Sequence, residues 1–180
     1  MSSAAFVPPD VLRLAIGGYK LDPFGTHGLG HWGRVFENGL SLASLTGADP
    51  LVVTLFAVIH DCRRWSEGSD WDHGLRASYL VPELCELVPG LDAPRAELLR
   101  VACAHHTDGV LHDDPTVGTC WDADRLDLGR VGIRPRPELL CTVAARVPSE
   151  IEAATKRAVE EAVPDFVREE WGPFALGGRD

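Results

Sequence analysis

The sequence has no Cys-x-x-Cys pair, although it holds five cysteines: Cys62, Cys85, Cys103, Cys120 and Cys141. Odd in number and widely spread, they argue against a disulfide framework or a cysteine-rich zinc site and read as reduced, buried thiols. No apolar run approaches the ~20 residues that span a bilayer. The N-terminus, MSSAAFVPPD, has neither the basic n-region nor the apolar stretch of a signal peptide. The expectation is a cytoplasmic protein with no membrane partner. Basic charge is scarce as well: 17 Lys and Arg face 27 Asp and Glu, for a net charge of −10. Neutralising a polynucleotide backbone calls for clustered Lys and Arg, so a nucleic-acid polymer is disfavoured as partner. A small phosphorylated ligand, met by two or three arginines, is not. Repeats, low-complexity segments and linkers are absent, and no stretch keeps a period of two long enough for a sheet.

What is present is helical periodicity on a chain of 180 residues, 45% hydrophobic and 24% charged, the size and composition of one domain with a full core. The pattern predicts helices over 9–19, 29–45, 51–65, 72–87, 93–107 and 120–128, with one or two more in 137–170. Asp49-Pro50 and Asp92-Ala93-Pro94 open the third and fifth; Thr46-Gly47 and Pro89-Gly90 close the second and fourth. The third, LVVTLFAVIHDCRRW, is nearly continuous in apolar residues and so is expected to be the central, buried element. The fold class is all-α: residues 1–180 as one domain, a motif-bearing region at 27–135 and C-terminal helices in 137–172 packed on it.

Polar residues sit on helix faces where apolar side chains belong. His31, in HGLGHWGRV, shares its stripe with Val35, Leu42 and Leu45, and His27 lies one turn earlier. His60 and Asp61 end the apolar run of the third helix. His105 and His106 continue the stripe Leu98, Leu99, Ala102. Asp124 lines up with Trp121, Leu128 and Val131, whereas Asp122 lies roughly 200° away at ~100° per residue. One buried histidine is usually explained by a hydrogen bond to a carbonyl. Four helices each turning His or Asp inward are harder to explain that way, because buried carboxylates and imidazoles need partners. A divalent cation satisfies all of them. Imidazole with carboxylate suits Zn, Fe, Mn, Co or Ni better than Ca or purely oxygen-bound Mg.

These residues resemble a known family. His31, then His60-Asp61, then Asp124 in DADRLD, look like the H…HD…D signature of the HD-domain superfamily of metal-dependent phosphohydrolases. His31, Arg34 and Val35 resemble the family's HxxRV start, and Ala123 to Leu126 the place of its last metal Asp. The resemblance spans residues 27–135. It implies an HD-like helical bundle with a central metal site and His31, His60, Asp61 and Asp124 as ligands. It further implies a second ion held through His73 and His105 or His106, with Asp61 between the two. His27 would be a further ligand or would orient His31. One or two ions of Mn, Fe, Co, Ni or Zn are implied, with Mg possible. The GYP triplet of the cyclic-di-nucleotide branch is missing, since HHTDG is followed by VLHDD.

The implied reaction is hydrolysis of a phosphate ester or anhydride of a nucleotide or small phosphorylated metabolite, by water whose pKa the metal lowers from 15.7 toward ~7. Arg34, Arg63, Arg64, Arg76 and Arg125 are the cationic candidates near the motifs, with Arg64 and Arg76 preferred as phosphate contacts. Asp70 or Asp72 is a candidate general acid or water-orienting base, and Trp65 and Trp71 can stack on a base or cover the pocket. His112 reads as solvated or at the pocket rim. Two other readings stay open: a di-iron oxygenase with the same ligand order, and a metal-binding sensor domain without activity. Oligomeric state is open too, with Trp171 either in an interface or packed on its own chain.

Overall fold

Two Asp-Pro steps set the frame of the fold. In each, the aspartate accepts the first free N–H groups of a helix while proline supplies a preset first turn. Asp49 accepts from Leu51 N at 2.9 Å and Val52 N at 3.3 Å, and Asp114 from Thr116 N at 2.8 Å and Val117 N at 3.1 Å. The computed structural model describes residues 7–176. Its helices are α1 (Pro9–Gly17), α2 (Leu29–Thr46), α3 (Pro50–Ile59), α4 (His73–Ser78), α5 (Val81–Leu87), α6 (Ala93–His105), α7 (Pro115–Arg125) and α8 (Pro148–Val159). The described residues contain no strand, so the fold is all-α. None of these helices is long and apolar enough to cross a membrane.

α3 is the central element, as its composition predicts: every residue from Val52 to Ile59 is buried. α2 lies against it on one side, α6 on another, and α7 closes the group. Gly39 lets α2 come close, because a Cβ there would sit 2.5 Å from Val53 Cγ1 and 3.5 Å from Ala123 Cβ. A second, smaller core of Leu42, Leu126, Leu140, Ala145, Ile151 and Ala154 seats α8 on the end of α7. Trp171 packs inward, edge-on to Phe36 at 5.8 Å.

The structure moves several predicted boundaries. The third helix stops at Ile59 instead of running to 65. Past it, Cys62 N bonds Ile59 O and Arg64 N bonds Asp61 O, tight three-residue turns in place of helical bonds. The predicted 72–87 helix is two helices, broken at Tyr79–Leu80. Pro82 has no N–H for the Ser78 carbonyl, and in a continuous helix its ring would collide with it. The sixth helix begins at Pro115, not 120, because Asp114-Pro115 repeats the device of Asp49-Pro50. It then yields to a 3₁₀ turn, Leu128–Val131, ended by Gly132 at φ 76°. Between 137 and 170 the order is a 3₁₀ turn Pro137–Leu139, α8, and a wide turn Val167–Trp171.

Candidate metal centre

Four imidazoles meet where α2, α3, α4 and α6 converge. His31 comes from the first turn of α2, His60 from the C-cap of α3, His73 from the start of α4 and His106 from the C-cap of α6; all four are buried. Each uses Nδ1 on an acceptor. His31 Nδ1 donates to Asp127 Oδ2 at 2.7 Å. His60 Nδ1 faces the carbonyls of Phe56 and Ala57 at 3.1 and 3.2 Å, and His106 Nδ1 donates to the Cys103 carbonyl at 2.8 Å. His73 Nδ1 donates to the Asp70 carbonyl. Carbonyls and carboxylates only accept, so Nδ1 carries a proton in every ring and Nε2 is the atom turned to the centre.

The Nε2 atoms face one another in two pairs. His31 Nε2 is 3.1 Å from His60 Nε2, and His73 Nε2 is 2.8 Å from His106 Nε2. Asp61 lies between the pairs. Its Oδ2 is 3.4 Å from His31 Nε2 and 3.8 Å from His60 Nε2; its Oδ1 is 2.9 Å from His73 Nε2 and 3.7 Å from His106 Nε2. Asp124 Oδ1 completes the first group, 3.4 Å from His31 Nε2 and 3.8 Å from His60 Nε2. Imidazole nitrogens this close to one another and to carboxylates need positive charge among them, as protons or as a cation. Two sets of ligand atoms result, His31–His60–Asp124 and Asp61–His73–His106, and each can hold a metal ion.

The electrostatics have the same sense. Burial drives the His60 pKa down to about 3, so the ring stays neutral. Burial also opposes charge on His106, but the Asp61 and Asp124 carboxylates outweigh it and raise its pKa above 6.5. Burial works against ionised Asp61, yet His60, His106, His31 and His73 hold its pKa well below 3.8. Asp124 is likewise held low against burial by His60, Arg130 and His31. The acids stay ionised and draw cationic charge to the centre.

No family model, no curated protein and no solved structure matches this chain. Its own residues therefore carry the reading. Of the sequence candidates, His31, His60, Asp61, His73, His106 and Asp124 come together in the cluster. His105 does not: its side chain is 56% exposed and lies 3.7 Å from Asp108. The helical stripe through Leu99 and Ala102 leads to position 106, and residue 105 falls 100° away. His27 lines the cavity above the cluster but gives Nδ1 to Glu67, 2.5 Å away. Asp72 is exposed and lines no part of that cavity.

Most arginine candidates are engaged elsewhere. Arg76, one of the two preferred phosphate contacts, grips Asp70 at 2.6 Å, lies 3.9 Å over the Trp65 ring and does not line that cavity. Arg63 bonds the Leu14 and Ala15 carbonyls, and Arg34 pairs with Asp127. Arg64 does line the cavity, its Nη1 3.6 Å from Asp61 Oδ1. Trp71 stands exposed, and His112 packs on Trp121 in a separate groove.

Three residues escaped the sequence reading. Asp127 orients His31 and is neutralised by Arg34; its signal was the spacing of three from Asp124 within DADRLD. Arg130 lines the cavity with a side chain only 7% exposed, and its Nε is buried without a hydrogen-bond partner. Glu67 holds His27 from a loop, where no periodicity marks it.

Gly74 is the close approach that lets α4 bring His73 to His106. A Cβ there would collide with the Cys103 carbonyl and sit 2.8 Å from His106 Nδ1. Gly74→Ala is expected to lower stability by about 1–3 kcal/mol through overpacking. Thermal melts and metal titration of the variant check this, since the collision falls on the His73–His106 pair.

Proposed function

We propose that the chain is a metal-dependent phosphohydrolase of the HD-domain type, cleaving a phosphate ester or anhydride of a small molecule. The observation that carries this reading is Asp61, which offers one oxygen to each pair of imidazoles, the arrangement of a carboxylate shared by two cations. In this reading His31, His60 and Asp124 hold one ion, and His73 and His106 the other. Imidazole and carboxylate together favour Mn, Fe, Co, Ni or Zn. Such ions, when bound, supply an acidified water at neutral pH and Lewis-acid stabilisation of phosphoryl oxygens.

The chain's own groups supply orientation and charge. The Asp127 carboxylate and the carbonyls of Phe56, Ala57, Asp70 and Cys103 fix the four rings, so no reorientation is needed when a ligand arrives. The cavity of about 290 Å³ above the cluster is lined by Arg64 and Arg130. Both guanidinium groups bring positive charge to the wall of the cavity, where a phosphoryl group would need it. Phosphoryl transfer asks little more of a protein than positioning and charge neutralisation.

Protein supplied with Mn(II) is expected to release phosphate from members of a nucleotide and phosphomonoester panel. That activity should vanish on chelation and return with the metal, and elemental analysis should give about two ions per chain. Oxygen uptake with Fe(II) and no phosphate release overturns the reading in favour of the oxygenase. Unchanged metal content and behaviour in Asp124→Ala overturns it in favour of a sensor domain.

A further inference from the structure

A second cavity, of about 330 Å³, opens beside the one above the metal centre. The two share three wall residues, Thr107, Arg125 and Leu128. The rest of the second wall comes from the chain after α6 and from residues 133–140, and it is largely apolar. Two of its side chains, Val110 and Ile133, are 66% and 53% exposed, so the wall presents apolar surface that a ligand can cover. Apolar groups gathered on a concave wall beside a polar centre are the usual makeup of a small-molecule site.

The cavity is also built in advance. Arg125 ties its two sides together, donating to the carbonyls of Gly109 at 2.5 Å, Val110 at 2.8 Å and Leu139 at 2.7 Å. That occupies Arg125, which is therefore a clamp on the wall and not a phosphate contact. The lining contains no Asp, Glu, Asn or Gln. Sugar hydroxyls there would meet donors from Thr107 and the arginines but no carboxylate or amide side chain to accept from them. A cationic group would meet Arg125, Arg134 and Arg136 with no acid on the wall.

We infer that this cavity receives the organic body of the substrate, and that the body is an apolar alkyl or aryl group and not a sugar. The inference rests on the phosphohydrolase reading for the reaction at the metal centre. The shared residues put the two ends of one molecule in register: phosphate over the metal cluster, apolar body against Val110, Ile133 and Leu139.

The test uses the full chain with Mn(II) and n-alkyl phosphates from methyl to hexyl, together with phenyl phosphate and ribose 5-phosphate. Binding of the matching n-alkylphosphonates, which are not hydrolysed, is measured in parallel by calorimetry. KM and the phosphonate Kd are expected to fall roughly two- to fourfold per methylene, with ribose 5-phosphate no better than methyl phosphate. Ile133→Asp, an exposed position that a thermal melt will show to be folded, should raise the KM for hexyl phosphate at least about tenfold, toward that of methyl phosphate. Hydrolysis with no dependence on chain length overturns the assignment of the cavity and leaves the phosphohydrolase reading standing. Phosphonates that bind more tightly with length, in a protein that releases no phosphate from any ester, support the cavity and overturn the reaction. Tighter use of ribose 5-phosphate than of hexyl phosphate overturns the apolar preference.

Discussion

Replacing Asp61 with alanine is expected to empty both halves of the metal centre and to lower kcat/KM by about 10³-fold or more, since a metal contributes several kcal/mol to the transition state and each 1.36 kcal/mol is tenfold. The reason is geometric. Asp61 alone reaches both imidazole pairs, through Oδ2 at 3.4 Å from His31 Nε2 and through Oδ1 at 2.9 Å from His73 Nε2. Asp124 reaches only the His31–His60 pair, so Asp124→Ala should leave the His73–His106 half able to retain metal. Elemental analysis of the two variants beside the parent therefore separates a shared carboxylate from two independent sites. Metal content in Asp61→Ala no lower than in Asp124→Ala would sink the shared-carboxylate account. His105→Ala belongs in the same series. It changes the same residue type one position from His106, but on an exposed side chain, and should stay within about 0.5 kcal/mol of the parent in stability with its metal intact.

The helices were legible because their signals are local. The Asp49-Pro50 step and the unbroken run after it announced α3 and its burial, and the stripe Leu98, Leu99, Ala102 gave the inward face of α6 without deciding between His105 and His106. His31, His60, His106 and Asp124 were legible for a related reason, since they stand where a run of apolar side chains leads, whereas His73 was named only through the family resemblance. What escaped depends on contacts distant in sequence. His60 and Asp61 were both named, but how two neighbours that a helix would turn 100° apart both reach the cluster was not: His60 N–H still bonds the Phe56 carbonyl, and the tight turns begin after it. The second cavity is made by residues 107–110 and 128–140, where no periodicity exists to read. Arg125 looked like a cation free for phosphate, yet its hydrogen bonds go to three backbone carbonyls whose positions only the folded chain defines.

Asp127→Ala is the variant expected to cost most in stability. Asp127 accepts from Arg34 Nε at 2.6 Å, from Arg34 Nη2 at 3.0 Å and from His31 Nδ1 at 2.7 Å, with almost no solvent access. Its pKa is held below 3.8 because His31, Arg34 and Arg130 outweigh burial. Removing the carboxylate leaves the buried Arg34 guanidinium with only the Ala162 carbonyl at 3.0 Å. A buried pair broken on one side costs about 3–5 kcal/mol, which in a chain of this length lowers Tm by roughly 6–20 °C. His31 also loses the acceptor that sets its tautomer, and loss of such an orienting group weakens metal binding about 10–100-fold. The two effects separate in the double variant Arg34→Met with Asp127→Leu. Apolar replacement of both partners removes the unpaired charge and should restore much of the Tm, but it gives His31 Nδ1 no acceptor, so metal affinity should stay low. Recovery of both together would mean that Asp127 serves packing alone and has no part in orienting His31.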